Sequence, residues 1–140
     1  MEHATVPCLT VAPPIEVLLV DDQRAILAGV TALIESEGPS MRVAGCAATG
    51  SLALELARST QPGVIVLDVD LGGEDGLALI PLLLCDCDAR IVVFTCLDTP
   101  ATRRHALNLG AADFVSKTAS GDELIAAIRK ATDSRLDPSP

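Results

Sequence analysis

Four short apolar runs in this chain end on side chains suited to acid, base or phosphate chemistry. Val17 to Val20 runs into Asp21-Asp22, Val64 to Leu67 into Asp68, Ile91 to Phe94 into Thr95, and Phe114-Val115, past Ser116, into Lys117. If those ends meet, three carboxylates, a hydroxyl and an ammonium share one pocket. Carboxylates that close together repel, and they stay ionised together when a cation lies among them. Mg²⁺ meets that need, because it takes octahedral oxygen coordination from few protein ligands, several waters and a phosphate oxygen. Asp22, Asp68 and the backbone carbonyl of Asp70 are the expected ligands, with Asp21 acting through a bound water. Lys117 and Thr95 then supply a positive charge and a hydroxyl donor where negative charge spreads over a phosphoryl group in transfer. Singly, each piece has a plainer reading: an Asp pair after a strand often caps a helix, and a Thr or Lys at a strand end is often simply solvated. Their occurrence together, in chain order, carries the argument.

The elements that must position these groups are legible in the periodicity. After the first run, Ile26, Leu27, Val30, Leu33 and Ile34 fall on one helix face. The alternation returns with Val43-Ala44 before a helix from about Thr49 to Arg58, and with Val64 to Leu67 before Gly76 to Cys85. It returns again with Ile91 to Phe94 before Pro100 to Leu109, and with Phe114-Val115 before Asp122 to Ala131. Thr99-Pro100 is a cap followed by proline at the first helical position, and Ser120 with Glu123 has capping-box spacing. Continuous apolar strands are expected when helices cover both faces of a parallel sheet. The spacing therefore predicts a single doubly wound α/β domain with a five-stranded parallel sheet, whose working groups gather at the carboxyl ends of the strands. Residues 1–14 read as an N-terminal tail, 15–131 as the folded domain, and 132–140 as a C-terminal tail or the start of a linker. One helix differs: Leu77 to Cys85 is apolar almost all round and contains Pro81, which predicts a kink. It is either buried on two sides or a sticky surface for another subunit.

Composition narrows the function classes. The chain has 140 residues, 49% apolar and 21% charged, which places it among single globular domains. Ten basic against nineteen acidic side chains give 10 − 19 = −9, a sign that repels phosphate backbones and anionic lipid. Trp and Tyr are absent, and Phe94 and Phe114 are the only aromatics, so platforms for stacking bases are lacking. Direct nucleic-acid binding is not expected. No Lys or Arg precedes Arg24 and no long apolar segment occurs, so neither a signal peptide nor a membrane span is expected, and the location expected is cytoplasmic. Cys8, Cys46, Cys85, Cys87 and Cys96 read as small apolar side chains of a reducing compartment. Cys85-Asp86-Cys87 is too small a cluster for structural zinc.

The segments that end in Asp21-Asp22-Gln, in Thr95 and in Gly-Ala-Ala-Asp-Phe114-Val-Ser-Lys117, with Val-Ile-Val-Leu-Asp68-Val-Asp-Leu-Gly-Gly-Glu-Asp-Gly between them, carry a resemblance. From about Glu16 to Ala131 the sequence resembles the response-regulator receiver domains of bacterial two-component signalling. The resemblance implies a flavodoxin-like (βα)5 fold with strand order 2-1-3-4-5. It implies that Asp68 accepts a phosphoryl group from phosphohistidine on a sensor histidine kinase or a phosphotransfer protein, that Asp21 and Asp22 organise Mg²⁺, and that Lys117 pairs with the phosphoryl oxygens. Thr95 would shift to bond the phosphoryl group, and Phe114 would turn inward into the space released, moving the face formed by helix four, strand five and helix five. Phe114 as plain core is the competing reading. Such a domain is not an enzyme in the ordinary sense but a phosphoacceptor that assists its own phosphorylation and dephosphorylation. The kinase would dock beside helix one at Ile26 and Leu27. A second copy would pair through helices four and five, with Arg103, Arg104, Arg129 and Lys130 facing acidic partners.

Several positions depart from the family pattern. Gly72-Gly73 replaces a segment where many receivers have Pro, which should loosen the loop that supplies the metal's carbonyl ligand. Thr118 follows Lys117 where many members have a cis-proline. Asp70 adds a negative charge, and Cys96 is bulkier than the usual small residue. Lys117 to Ser120 and Arg135-Leu136-Asp137-Pro138 resemble the LuxR or NarL-type branch. The expected role is therefore the input module of a transcription regulator, since the roughly 60 residues of a small DNA-binding domain do not follow; a stand-alone receiver comes next. Two alternatives remain: a pseudo-receiver used only for interaction, and a haloacid-dehalogenase-like phosphohydrolase in which Asp68 is the nucleophile and Asp70 the general acid.

Overall fold

A computed structural model describes residues 13–136, and the outer parts of both expected tails, 1–12 and 137–140, lie outside the described residues. The chain runs β1 (Ile15–Val20), α1 (Arg24–Glu35), β2 (Met41–Ala47), α2 (Gly50–Thr60), β3 (Val64–Leu67), β4 (Asp70–Leu71) and β5 (Glu74–Asp75). It continues through a 3₁₀ turn (Gly76–Ala78), α3 (Leu79–Asp86), β6 (Arg90–Thr95), α4 (Pro100–Leu109), β7 (Asp113–Ser116) and α5 (Gly121–Leu136). Five strands form one parallel sheet in the order β2-β1-β3-β6-β7. Counting only its own strands, that order is 2-1-3-4-5, as the resemblance implies. β4 and β5 are a separate two-stranded antiparallel hairpin.

Side chains alternate across the central strands because successive residues point to opposite faces. Leu18, Val20, Ile65, Leu67, Ile91 and Val93 pack beneath Ala53, Ala57, Ile80, Leu83 and Ala106 of α2, α3 and α4. Val17, Leu19, Val64, Val66 and Val92 pack beneath Val30, Ile34, Leu124 and Ile128 of α1 and α5. Burial of each Val, Leu or Ile among them contributes roughly 1.5–3 kcal/mol, which fixes the register of the central strands. The backbone ladder extends past the strand ends: Asp21 N–H donates to Ala47 O at 3.0 Å, Asp68 N–H to Val20 O at 3.0 Å, and Lys117 N–H to Thr95 O at 2.9 Å. The packing of the core thus delivers Asp21, Asp68, Thr95 and Lys117 to one edge of the sheet.

Several expectations need correction. β2 spans seven residues rather than two; it is an edge strand whose Gly45 and Ala44 hide the pattern, and the register with β1 shifts between Val17 and Leu18. The helix expected over 76–85 is split, with a 3₁₀ turn ahead of α3. Pro81 consequently lies in the first turn of α3, where a missing N–H forfeits no bond within that helix. The irregularity is a change of helix type upstream of the proline. α3 buries Ile80 and Leu83, while Leu82 and Leu84 are exposed, so it is covered on one side only. α5 continues to Leu136 instead of ending at Ala131, since no helix breaker occurs before Asp137-Pro138. Cys46, Cys85 and Cys96 are exposed rather than packed as small apolar side chains, while half-buried Cys87 packs against the core as expected; Cys8 lies outside the described residues. No described helix is long and apolar enough to cross a membrane.

Candidate functional site

Asp21, Asp68 and Lys117 make a buried charged triad at the carboxyl edge of the sheet. Lys117 Nζ lies 2.7 Å from Asp21 Oδ2 and 2.9 Å from Asp68 Oδ2, and the three side chains are only 5–7% exposed. Asp21 turns its second oxygen to the backbone N–H of Gln23 at 2.9 Å. Gln23, the residue at the N-cap of α1, has no side-chain cap, so the Asp pair does not serve as a helix cap. The Gln23 side chain instead accepts from Lys117 Nζ at 3.4 Å, a contact the sequence reading missed although Gln23 directly follows the acidic pair. Burial pushes the Asp21 carboxyl above its ordinary 3.8, against the pull of the Lys117 ammonium hydrogen-bonded to it. Burial works to lower the Lys117 value, yet hydrogen bonds to Asp21 and Asp68 leave it above the usual 10.5.

Asp22 is exposed and completes the cluster: Asp21, Asp22 and Asp68 each offer a carboxylate oxygen, all within 4.8 Å of one another. Three carboxylates against one ammonium leave a local charge of −3 + 1 = −2. An all-oxygen donor set of that charge, with one member facing solvent, fits a hard divalent cation such as Mg²⁺. The cleft above it, about 330 Å³, is lined by Asp22, Asp68, Asp70, Thr95, Cys96 and Lys117 among others.

The loop after Asp68 closes into a hairpin. Gly72 and Gly73 take φ of 61° and 100°, the two positive values that a two-residue type I′ turn requires and that glycine adopts without strain. The slack loop expected from Gly72-Gly73 is therefore replaced by a paired one, with Asp70 opposite Asp75 and Leu71 opposite Glu74. A Cβ on Gly72 would touch Asp22 Oδ2 at 3.2 Å, so the turn lies against that carboxylate. The Asp70 side chain is exposed and accepts from Gly73 N–H at 3.3 Å, and its own N–H reaches Asp68 Oδ1 at 3.4 Å. Gly76 is fixed by proximity, because a Cβ there would collide with the carbonyl oxygen of Asp68.

The opposite wall carries Thr95 and Phe114. Thr95 is 1% exposed, and its hydroxyl accepts from the N–H of Leu97 at 3.2 Å. Phe114 is 4% exposed, already turned into the core, with the Arg103 guanidinium 4.8 Å from its ring centroid. Arg103 also reaches Asp98 at 3.4 Å.

Comparison with known proteins decides the family. Residues 17–129 match the family described as the response regulator receiver domain. This chain belongs to that family. The receiver domain is 35% identical over 118 residues to the response regulator GacA of Pseudomonas aeruginosa, covering 83% of this chain and 54% of the relative. It is 36% identical over 120 residues to a protein-glutamate methylesterase/protein-glutamine glutaminase of Nitrobacter hamburgensis, covering 81% and 30%. The receiver domain thus spans about a third to a half of the curated relatives it matches. Among solved structures, the signal receiver domain of the response regulator NarL from Mycobacterium tuberculosis superposes with a TM-score of 0.81 at 29% identity, covering 89% of this chain and all of that one.

The remaining positions named from the sequence fall elsewhere. Ile26 and Leu27 of α1 are half-buried and line a small apolar void beside Asp21, Asp68 and Phe94. Arg129, partly exposed, binds Glu37 at 2.6 Å and Ser40 at 3.2 Å, tying α5 to the α1–β2 loop. Arg103 and Lys130 line a groove with Phe114, Glu123 and Asp98 over α4, β7 and α5, and Arg104 is exposed. The bond between Lys117 and Thr118 is not cis; the one cis peptide among the described residues is Gly38–Pro39.

Proposed function

We propose that Asp68 is the phosphoacceptor of this receiver domain, taking its phosphoryl group from phosphohistidine on a sensor kinase or phosphotransfer protein. The observation that carries this is the buried triad: one oxygen of Asp68 is held by Lys117 at 2.9 Å while the same ammonium holds Asp21 at 2.7 Å, at the edge of an open cleft. The nucleophile is thereby oriented without being capped by the fold. Attack by a carboxylate oxygen of Asp68 on the phosphorus of a phosphohistidine protonated on its other ring nitrogen forms a P–O bond and breaks the P–N bond, whose electron pair returns to the ring, leaving neutral histidine that keeps that proton. Asp22, Asp68 and the backbone carbonyl of Asp70 would hold Mg²⁺, with Asp21 acting through a water, and the ion would supply positive charge to the phosphoryl oxygens. Lys117 shifts from the carboxylate pair toward the transferred oxygens. Thr95, released from Leu97 N–H, donates its hydroxyl to the same group.

The readout is a shift of the face made by α4, β7 and α5, where Arg103 and Phe114 meet the Thr95 wall and where a second copy pairs. The partner set is cytoplasmic, because phosphohistidine is made from ATP. The likeness to NarL and the Lys117-Thr118-Ala119-Ser120 stretch support an input module of a LuxR or NarL-type transcription regulator, this domain itself touching no nucleic acid.

Intact-mass measurement after treatment with acetyl phosphate and Mg²⁺ tests the assignment. A gain of one phosphoryl group in the wild type and none in Asp68→Asn is expected. Equal labelling of both proteins contradicts the acceptor, and no labelling of either leaves the pseudo-receiver reading in its place.

A further inference from the structure

The β4–β5 hairpin is attached to the rest of the molecule by a contact that its family resemblance does not supply. Glu74 Oε1 accepts the backbone N–H of Gly50 at 2.8 Å, across 24 residues of sequence. Gly50 is the first residue of α2, one of whose free N–H groups is otherwise without an intrahelical partner. Thr49, the N-cap, satisfies Leu52 N–H at 3.2 Å, so threonine and glutamate divide the start of the helix between them. Gly50 is buried. A Cβ there would meet Leu79 Cδ2 at 3.0 Å and Glu74 Oε2 at 3.5 Å, so the absence of a side chain admits both α3 and the glutamate. A carboxylate at a helix start also gains from the aligned peptide dipoles.

The same hairpin holds the groups that matter for the cation. Its turn residue Gly72 lies against Asp22, and its first residue, Asp70, carries the carbonyl assigned above to Mg²⁺. Asp75 caps the following 3₁₀ turn through Leu77 N–H at 3.0 Å, which fixes one end of the hairpin. Glu74 fixes its other axis against α2. We infer that Glu74 is a positioning residue for the metal site, setting Mg²⁺ affinity through the placement of the hairpin. The inference rests on the reading of Asp21, Asp22 and Asp68 as the metal cluster. By thermodynamic reciprocity, Mg²⁺ must then tighten the Glu74–Gly50 contact as the contact tightens Mg²⁺.

Calorimetric titration of Mg²⁺ into the wild type, Glu74→Gln and Glu74→Ala provides the test, with hydrogen exchange at the Gly50 amide as a second readout. Glu74→Ala should weaken the Mg²⁺ dissociation constant by roughly tenfold, the lower end of what loss of an outer partner costs. Glu74→Gln keeps the accepting oxygen and should restore most of that loss. In the wild type Mg²⁺ should slow exchange at Gly50, and in Glu74→Ala it should not. A lowered melting temperature in Glu74→Ala with unchanged Mg²⁺ affinity reduces Glu74 to a helix cap and overturns the inference alone. A wild type that binds no Mg²⁺ removes the metal reading, and this inference with it.

Discussion

The two walls of the cleft around Asp68 are built to different standards. On the acidic wall, Asp21 and Lys117 each make several short contacts, Asp68 is joined to Lys117, and all three side chains are sealed from solvent. On the opposite wall, Thr95 has one local hydrogen bond to Leu97. Phe114 there is covered by an arginine whose side chain is 47% exposed and whose carboxylate partner lies 3.4 Å away. Buried, multiply bonded charges resist displacement, because separating any pair strands a charge in a low dielectric. A lone hydrogen bond and an exposed cation–π contact are each worth only about 1 kcal/mol. Under the function proposed above, the chemistry falls on the rigid wall and the signal on the soft one, where the interaction energy of an added phosphoryl group would be enough to shift a population.

Removing Lys117 should have the largest effect on this contrast. Lys117→Met strands two buried carboxylates, and is expected to slow phosphoryl uptake from acetyl phosphate by about 10²-fold and to lower stability in urea unfolding by about 3 kcal/mol at neutral pH. The pH dependence has a definite sign. Because the folded-state value of Lys117 is raised, its contribution is fully present below 10.5 and is lost as pH rises through that raised value. The stability gap between wild type and Lys117→Met should accordingly narrow in alkali. A gap that widens there would show that the ammonium is not what joins the wall together.

Gly76→Ala comes next. The added methyl collides with the Asp68 carbonyl, and the backbone shift should cost about 2 kcal/mol in thermal or denaturant unfolding. Its phosphorylation should fall further than its stability alone explains, since the acceptor itself is displaced. On the soft wall, Arg103→Ala should cost only about 0.5–1 kcal/mol and leave phosphoryl uptake within about twofold. Its effect should appear in the ring of Phe114, whose NMR shifts become averaged when the covering guanidinium is lost; an unchanged Phe114 environment would separate Arg103 from the switch. The smallest effect serves as a control. Arg42→Ala, at the exposed pair with Glu16, should change stability by no more than about 0.5 kcal/mol.

What could be read from the sequence follows the same division. Asp21, Asp22, Asp68, Thr95 and Lys117 were legible because each ends an apolar run, and a parallel sheet brings such ends to one edge. Strand order came from resemblance, since periodicity says nothing about which strand lies beside which. β2 was underestimated because an edge strand containing glycine and alanine lacks the branched apolar signature of the centre. The β4–β5 hairpin had a signal in Gly72-Gly73, but strands of two residues are too short to display alternation, and the glycines read as looseness. Gln23 on Lys117, Glu74 on Gly50 and Arg129 on Glu37 were invisible: each joins positions far apart in the chain through polar side chains that carry no periodic mark. Phe114 was legible only as one of two alternatives, plain core or a ring that turns inward on phosphorylation, because the packing that buries it beside Arg103 leaves no mark in the sequence.

The acceptor itself can be located by chemistry specific to acyl phosphates. Borohydride reduction of the acetyl phosphate-treated protein, followed by peptide mass analysis, converts a phosphorylated aspartate to homoserine. Homoserine at position 68 alone is the predicted result. Conversion at Asp21, Asp22 or Asp70 with position 68 unchanged would contradict it.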